Sequence, residues 1–348
     1  MTFINRCRIF TDRLTSGMVL AQPVISGRGI VLLEPGMVLT DKVIADLKSW
    51  GILHVDIQRE ETDAGTGAGA EFVATYQTTL NSVAAAFEKV RKFKEVPIAE
   101  CRELVENQIS LMVDVSGVLD TLHRIKSHHE NTFQHSLNIA ILSGILGKWI
   151  GFQGLKLKDI ILAGLLHDIG KVVIPAEVLN KRDALTISEA EVIRRHPDEG
   201  YKLLLPMPEM AEEVRLGVLQ HHEREDGSGY PLGLRRDTIH LFAKIIAVAD
   251  LYEHLSSAEG EKAGAPPLAA MENILVQMYD KLDPVICWTF SDNLSKYFIG
   301  MPVRLSDGRT AKIVMMNQAL SRPVVQTGEG CLVDLSAQRE LEIVSMLN

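Results

Sequence analysis

The sequence is poor in cysteine, and its cysteines do not occur at metal-binding spacing. Among 348 residues, the four cysteines are Cys7, Cys101, Cys287 and Cys331, and no Cys-x-x-Cys segment is present. This spacing disfavours a zinc knuckle and a disulfide framework, and it is typical of reduced thiols in a cytosol.

A long apolar segment is also missing. The most apolar run, residues 139–146, is far shorter than the roughly 20 residues that a membrane-spanning helix needs. Residues 1–20 carry charged side chains where a secretory signal would have its apolar core. We therefore expect a soluble, cytoplasmic protein without a membrane span.

The sequence also has no excess of positive charge. Lys and Arg sum to 36 against 45 Asp and Glu, which gives a formal charge of −9. Such a surface repels nucleic acid and anionic membrane on average, so we expect no DNA partner. A local site for an anionic ligand is still allowed, because a metal cluster among the eleven histidines could supply positive charge.

The composition, with 46% hydrophobic residues, allows a sizeable core, and the pattern divides the chain into four parts. Residues 1–60 combine short β-prone runs with one helix capped by Thr40, which predicts a small α+β domain. The Gly-rich stretch 61–70 predicts a flexible linker. Apolar residues then recur at helical spacing over 71–297, including one helix over 187–204. Residues 298–348 return to a period of two, which predicts a small β-rich segment. The predicted fold class is mainly α.

The strongest chemical signal is His167-Asp168-Ile169-Gly170-Lys171, which follows an apolar helical segment. Taken alone, the His-Asp pair is better explained by a buried histidine that is hydrogen-bonded to its neighbour. However, further histidines and an aspartate lie near helix ends in apolar sequence: His135, His196, His221, His222 and Asp250. Burying so many polar groups without partners costs several kcal/mol. Metal ligation or one large polar network would remove that cost.

Five histidines and two aspartates could hold two divalent metals. The lack of cysteine disfavours a structural zinc site, and mixed nitrogen and oxygen ligands suit Fe, Mn, Ni or Zn. With Asp168 as a bridging carboxylate, such a pair would form a hydrolytic site in which a bridging water becomes the nucleophile. Lys171 could contact that nucleophile or a phosphoryl oxygen, although a surface lysine at a helix end explains its position equally well.

These residues resemble a known family. His167-Asp168, preceded by His135, resembles the HD superfamily of metal-dependent phosphohydrolases. Residues 221–231, His-His-Glu-Arg-Glu-Asp-Gly-Ser-Gly-Tyr-Pro, are similar to the signature of its HD-GYP subfamily. The resemblance covers about 128–255 and implies an all-α HD-type domain that hydrolyses cyclic di-GMP to linear pGpG, and often on to GMP.

The resemblance also implies roles for individual residues. It makes the metal ligands His135, His167, Asp168, His196, His221, His222 and Asp250. It places Lys171, together with Asp168, in the catalytic centre, facing the scissile phosphate. The candidate substrate contacts are Arg224, Asp226, Gly229, Tyr230, Pro231 and Lys244. Arg224 and Asp226 are equally expected to brace their own loop, and that loop is also a candidate surface for a signalling protein partner.

Two departures from the family bear on these roles. Some members carry a Glu four residues before the first ligand histidine, where it helps to hold a third metal; here that position is Asn131. We therefore expect two ions, Fe or Mn. The family also has an Arg-Pro-Tyr segment after the last ligand, whereas this chain has Glu259-Gly260-Glu261-Lys262, with Glu253 shortly before it. Acidic residues there would disfavour an anionic ligand unless Lys262 or Lys244 compensates.

The leading hypothesis is a cyclic di-GMP phosphodiesterase. The first alternative is a catalytically weak HD-GYP protein that binds a cyclic dinucleotide or a protein partner. The second is a phosphohydrolase for another nucleotide. A homodimer is one possible assembly in each case.

Overall fold

The first unit of the computed structural model, Met1–Glu71, is a small α+β structure. Strands β1 (Asn5–Phe10), β2 (Val19–Leu20) and β5 (His54–Arg59) form an antiparallel sheet in the order β1-β5-β2, and β3 (Val24–Ile25) pairs with β4 (Val31–Leu33). Helix α1 (Asp41–Ser49) begins after Thr40, whose side chain accepts a hydrogen bond from the Val43 amide, as an N-cap does. Buried leucines and valines from the strands and helix form a separate core.

The structure describes residues 5–11, 14–25, 31–52, 54–59, 67–115, 118–119, 122, 132–179, 181, 184–257, 265–317, 321–328 and 330–347. Among these, no helix is both long enough and apolar enough to span a membrane.

Helix α2 (Gly67–Phe93) begins inside the range predicted as a linker, 61–70. The prediction is therefore wrong for residues 67–70, where two alanines favour the helical conformation despite the neighbouring glycines. Residues 61–66 lie outside the described part of the chain. The second unit, Phe72–Asn348, contains the rest of α2 and everything that follows.

The second unit is mainly helical. A continuous helical segment runs through α3 (Ile98–Leu104), a π-helical turn (Val105–Ile109) and α4 (Ser110–Val113). The remaining helices are α5 (Thr132–Ile150), α6 (Gly154–Leu166), a 3-10 turn (Ile169–Val173), α7 (Ala176–Leu179), α8 (Ile187–Ile193), α9 (His196–Leu204), α10 (Glu212–Gln220), a second 3-10 turn (Arg236–Thr238), α11 (Leu241–Ser256), α12 (Pro267–Gln277) and α13 (Pro284–Phe298).

The sequence predicts one helix over 187–204, but the structure has two, α8 and α9. Pro197 lacks an amide hydrogen and its ring crowds the preceding turn, so a new helix starts beside it rather than continuing the old one. As a result, His196 stands at the first position of α9.

Helix α5 is the centre of the core. Nearly every residue from Gln134 to Gly147 is buried, as expected for a helix that is apolar around most of its circumference. It packs against α6 and α11, and α10 packs against both α6 and α11. Six of the seven predicted ligands lie on these helices or directly after them, and the seventh, His196, begins α9.

The chain ends in a five-stranded antiparallel sheet. Strands β6 (Pro302–Leu305), β7 (Thr310–Met315), β8 (Val324–Thr327), β9 (Leu332–Asp334) and β10 (Ile343–Met346) are arranged in the order β10-β6-β7-β8-β9. Alternating residues such as Val303, Leu305 and Ile313 are buried in the same core as the helices. The predicted fold class, mainly α with an N-terminal α+β unit and a β-rich end, is confirmed.

Candidate metal centre

The seven side chains predicted as ligands come from five places in the second unit and converge. His135 lies in the first turn of α5, and Asp250 lies on α11. His167 and Asp168 follow α6, His196 begins α9, and the remaining pair, His221 and His222, follows α10.

Three sets of three donors are formed, and the third, His167, Asp168 and His221, takes one histidine from each of the other two. In the first set, His135 Nε2 lies 3.2 Å from His167 Nε2 and 3.3 Å from Asp250 Oδ1. The second set consists of His196, His221 and His222, and the Nε2 atoms of His196 and His221 are 3.2 Å apart.

Asp168 lies between the first two sets. Its Oδ2 is 3.6 Å from His135 Nε2 and 3.4 Å from His167 Nε2, whereas its Oδ1 is 3.1 Å from His196 Nε2. The carboxylate therefore presents one oxygen to each of these two sets, which is the arrangement that a bridging ligand requires.

Main-chain carbonyl groups orient three of the rings. Nδ1 of His167, His196 and His221 lies 2.8 Å from the carbonyl oxygen three residues earlier, on Gly164, Ile193 and Val218 respectively. A carbonyl only accepts, so the ring hydrogen sits on Nδ1 and the lone pair of Nε2 faces the centre.

This donor set fits divalent cations. Lone pairs that face each other at 3.2 Å repel unless a proton or a cation lies between them. Asp168 Oδ1 is buried and has no hydrogen-bond partner among the described residues, an arrangement that is costly for a carboxylate oxygen. A cation ligated by imidazole and carboxylate groups would satisfy both kinds of atom.

The electrostatics of the carboxylates and the His221-His222 pair agree with ligation. Burial raises the pKa of Asp168, but Lys171 and His167 outweigh it and hold the pKa well below its usual value. Burial also raises the pKa of Asp250, but the hydrogen bond and the charge of His135 outweigh burial and hold this pKa well below its usual value. Burial lowers the pKa of His221 strongly and that of His222 to about 3. Asp168 and Asp250 thus favour the anionic form, and His221 and His222 favour the neutral form, which are the protonation states that bind metal.

His135 differs from the other histidines. Burial lowers its pKa, but hydrogen bonds with Asp250 and Glu253 outweigh burial and raise the pKa to about 10. Its Nδ1 lies 2.9 Å from Glu253 Oε2 rather than against a carbonyl group. In the absence of metal, this ring holds the proton that a cation would displace.

Lys171 points at the centre. Its Nζ donates to Asp168 Oδ2 at 2.5 Å, and its side chain is 25% exposed. Burial lowers the lysine pKa, but the negative charge of Asp168 outweighs it and the net pKa is raised. The structure therefore favours a cation directed at the site over a surface lysine.

Gly170 allows two ligand segments to meet. A Cβ atom at this position would lie 2.0 Å from the carbonyl oxygen of His196 and 2.6 Å from the amide nitrogen of Gly200. The 3-10 turn that carries Lys171 packs directly on α9. The glycine after His167-Asp168 is required because any side chain would push these segments apart.

The loop after His222 is held mainly by its own side chains. A Cβ on Gly229 would lie 2.4 Å from the amide nitrogen of Arg224. Arg224 Nη1 donates to the carbonyl oxygens of His221 and Glu223, and Asp226 accepts from the Ser228 amide. These contacts support the alternative that Arg224 and Asp226 brace the loop.

Tyr230 lies beside the second set of ligands. Its ring stacks on His222 with centroids 4.7 Å apart, and the guanidinium of Arg194 lies 4.5 Å from its centroid. Pro231, the next residue, is half-buried. The loop thus presents an aromatic ring and a cation next to the centre.

Lys244 does not join the cluster. Its Nζ lies 3.0 Å from Glu225 and 3.1 Å from Asp283, and its side chain is 11% exposed. Because two carboxylates already engage it, the structure gives no support to its predicted role as a substrate contact. Asn131 and residues 259–262 lie outside the described residues.

Sequence reasoning missed three residues near the centre. The sequence counts Glu253 among the acidic residues that would disfavour an anionic ligand. In the structure, however, its carboxylate is buried against His135 and Asn138. Its position three residues after Asp250, on the same helix face, was a usable signal. Asn138 follows His135 at the same interval, whereas Arg194 has no comparable sequence signal.

A family comparison identifies the domain that contains this centre. A family model described as HD domain matches residues 121–286. This part of the chain is an HD domain. The predicted family is confirmed, and the candidate ligands all lie within the match.

Curated relatives share this part of the chain. A protein named as a cyclic di-GMP phosphodiesterase, from Pseudomonas aeruginosa, is 32% identical over 233 residues, which cover 67% of this chain and 56% of the relative. A cyclic di-GMP phosphodiesterase response regulator of Xanthomonas campestris is 40% identical over 144 residues, 41% of this chain and 38% of the relative. A 3'3'-cGAMP-specific phosphodiesterase of Vibrio cholerae is 36% identical over 180 residues, 51% of this chain and 40% of the relative. The chain thus spans between about a third and just over half of these relatives.

A solved structure shares the fold. A protein of Bdellovibrio bacteriovorus described as an HDG"Y"P protein aligns with a TM-score of 0.55 and 17% identity, covering 83% of this chain and 99% of that one. At this identity the similarity concerns the fold alone, not the chemistry.

Proposed function

We propose that the protein is a metal-dependent phosphodiesterase that hydrolyses cyclic di-GMP to linear pGpG, and in part to GMP, in the cytoplasm. The observation that carries the proposal is the position of Asp168, whose two carboxylate oxygens face two sets of three donors that share no residue. The names of two relatives agree with this substrate.

Two divalent ions, Fe or Mn, would be held by the two sets, with Asp168 shared between them. His135, His167 and Asp250 would hold one ion, and His196, His221 and His222 the other. When bound, these ions lower the pKa of water and offset the negative charge that develops on the phosphate.

The chain's own cations would orient the substrate. The ammonium of Lys171 lies against Asp168 and is the nearest fixed positive charge for the scissile phosphate. Arg194 is exposed and makes no ion pair among the described residues, and it lies over the Tyr230 ring beside the second ligand set. We assign to Arg194 the contact with the dinucleotide that the missing Arg-Pro-Tyr segment would otherwise make, since a guanidinium binds phosphate through two parallel hydrogen bonds.

One alternative function has a specific observation in its favour. Arg224, Asp226 and Lys244 are all engaged by protein groups, so fewer groups are left to hold a dinucleotide than the sequence predicts. This favours a catalytically weak HD-GYP protein that binds a cyclic dinucleotide or a protein partner through the loop around Tyr230.

The deciding experiment loads the purified protein anaerobically with Fe²⁺ or Mn²⁺ and measures products by chromatography. The substrates are cyclic di-GMP, 3'3'-cGAMP and GMP, each at matched concentration. We expect pGpG from cyclic di-GMP. Full metal occupancy without any product would support the binding protein, whereas turnover of 3'3'-cGAMP alone would reassign the substrate.

A further inference from the structure

A chain of buried hydrogen bonds leads to His135. Nδ1 of His135 lies 2.9 Å from Glu253 Oε2, and the other oxygen, Oε1, accepts from Asn138 Nδ2 at 3.0 Å. The hydroxyl of Tyr76 donates to Asn138 Oδ1 at 2.6 Å. Glu253, Asn138 and Tyr76 are each no more than 2% exposed.

The chain depends on matched helix turns. His135 and Asn138 are three residues apart on α5, and Asp250 and Glu253 are three residues apart on α11. Residues at this spacing lie on one helix face. Each helix therefore contributes one residue to the metal centre and one residue, a turn later, to the support behind it.

His135 needs this support because, among the described residues, Glu253 takes the place of the carbonyl group that orients three of the other rings. An ionised carboxylate accepts and cannot donate, so Glu253 keeps the hydrogen of His135 on Nδ1 and leaves the Nε2 lone pair toward the centre. Tyr76 in turn fixes which end of the Asn138 amide faces Glu253, because its hydroxyl occupies the carbonyl end.

We propose that Glu253, held by Asn138 and Tyr76, is the positioning residue that sets the orientation and tautomer of His135 as a metal ligand. This role rests on the proposed function, since it requires His135 to bind a metal. Tyr76 belongs to α2, the helix through which the chain passes from the first unit into the second. The position of α2 within the second unit therefore bears on the geometry of one ligand.

The test is the substitution Glu253→Gln. Asn138 donates to Oε1, so the amide nitrogen of the introduced side chain would face His135 as a donor. His135 would have to accept at Nδ1 and carry its hydrogen on Nε2, toward the centre, where it blocks ligation. We expect one Zn²⁺ ion to bind roughly 10- to 100-fold more weakly, while the ion held by His196, His221 and His222 is retained.

Two measurements on Zn²⁺-loaded protein report this change without relying on activity. Competition with a chelator gives the affinity and the number of ions retained. Nitrogen-15 NMR follows the Nδ1–H signal of His135, assigned by its loss in His135→Gln. We expect Glu253→Gln to abolish that signal and Glu253→Asp to keep it, because Asp retains two accepting oxygens. Tyr76→Phe should lower the affinity for the same Zn²⁺ ion by about fivefold, since it removes one hydrogen bond from the group that holds the Glu253 carboxylate.

Asp159→Asn is the matched control, because Asp159 is also a buried carboxylate of the second unit and is not a candidate ligand. It should leave both the Zn²⁺ affinity and the His135 signal unchanged. An equal loss in the control, or an unchanged affinity and signal in Glu253→Gln, would overturn the positioning role. Failure of the unmodified chain to bind Zn²⁺ would instead overturn the metal centre itself.

Discussion

Replacement of Gly170 by Ala tests whether the metal centre depends on close packing between two segments. The added Cβ would lie 2.0 Å from the carbonyl oxygen of His196, whereas ordinary contact begins at 3.4 Å, so the two segments must separate by about 1.4 Å. Ligand positions in a functional site tolerate errors of roughly 0.5 Å. The backbone at Gly170 is not left-handed, so the contact alone determines the effect.

The expected result has two parts. Overpacking of this kind costs about 1–3 kcal/mol of folding free energy, and each kcal/mol lowers the Tm by roughly 2–4 °C in a unit of this size. Because His196 moves with its backbone, the ion held by the second ligand set should be lost preferentially. Differential scanning calorimetry and elemental analysis of the same preparation measure the two effects.

Gly328→Ala is the matched control, since a Cβ there would have no atom within 4 Å and its backbone is not left-handed. It should leave the Tm and metal content within error of the unmodified chain. A Gly170→Ala protein with an unchanged Tm and full metal content would refute the packing argument and, with it, the assigned position of His196.

Three further predictions concern the ligands, the substrate and the thiols. Asp168→Ala should lower metal content and cyclic di-GMP hydrolysis together, because the carboxylate faces both ligand sets; unchanged metal content by elemental analysis would contradict its assignment. Arg194→Ala should raise KM for cyclic di-GMP about tenfold with little change in kcat, as expected when an exposed guanidinium that binds phosphate is removed. Lys244→Ala should leave KM unchanged, because Glu225 and Asp283 already engage that lysine. Iodoacetamide at about pH 8 should label Cys331, which is exposed, and spare Cys101 and Cys287. Burial raises the pKa of these two thiols to about 12, and the thiolate is the reactive form. Peptide mapping that finds equal labelling of all three cysteines would show that the core opens readily.

The parts of the fold that follow from local pattern could be predicted from the sequence. Helical spacing predicts the helices around the site, and a period of two predicts the C-terminal strands. The predictions were wrong where two local conformational preferences opposed each other. Pro197 interrupted a predicted helix, and alanines at 68 and 70 extended α2 into a Gly-rich stretch. In both cases the sequence shows the residue types, but it does not show which of the competing conformational preferences prevails.

Ligand candidates were predictable because ligation demands particular residue types, and polar groups of those types stand out in apolar sequence. The supporting groups lack that property. The carbonyl groups that orient His167, His196 and His221 belong to Gly164, Ile193 and Val218, and any residue offers a carbonyl oxygen. Their role comes only from a position three residues before a ring.

Glu253 shows why charge counted along a sequence is a weak guide to what a ligand meets. Beside an expected phosphate site, an acidic residue is expected to oppose an anionic substrate. In the structure its carboxylate is buried 2.9 Å from His135 Nδ1, so its charge acts on the side of a ligand ring that faces away from the other ligands. The same argument applies to Lys244, whose positive charge is taken up by Glu225 and Asp283. For both residues, the partner decides the electrostatic effect, and each partner lies many residues away in the chain. Arg194 is exposed and has no such partner among the described residues. Its charge is therefore free for the contact that we propose with the dinucleotide, beside the contact of Lys171 with the scissile phosphate.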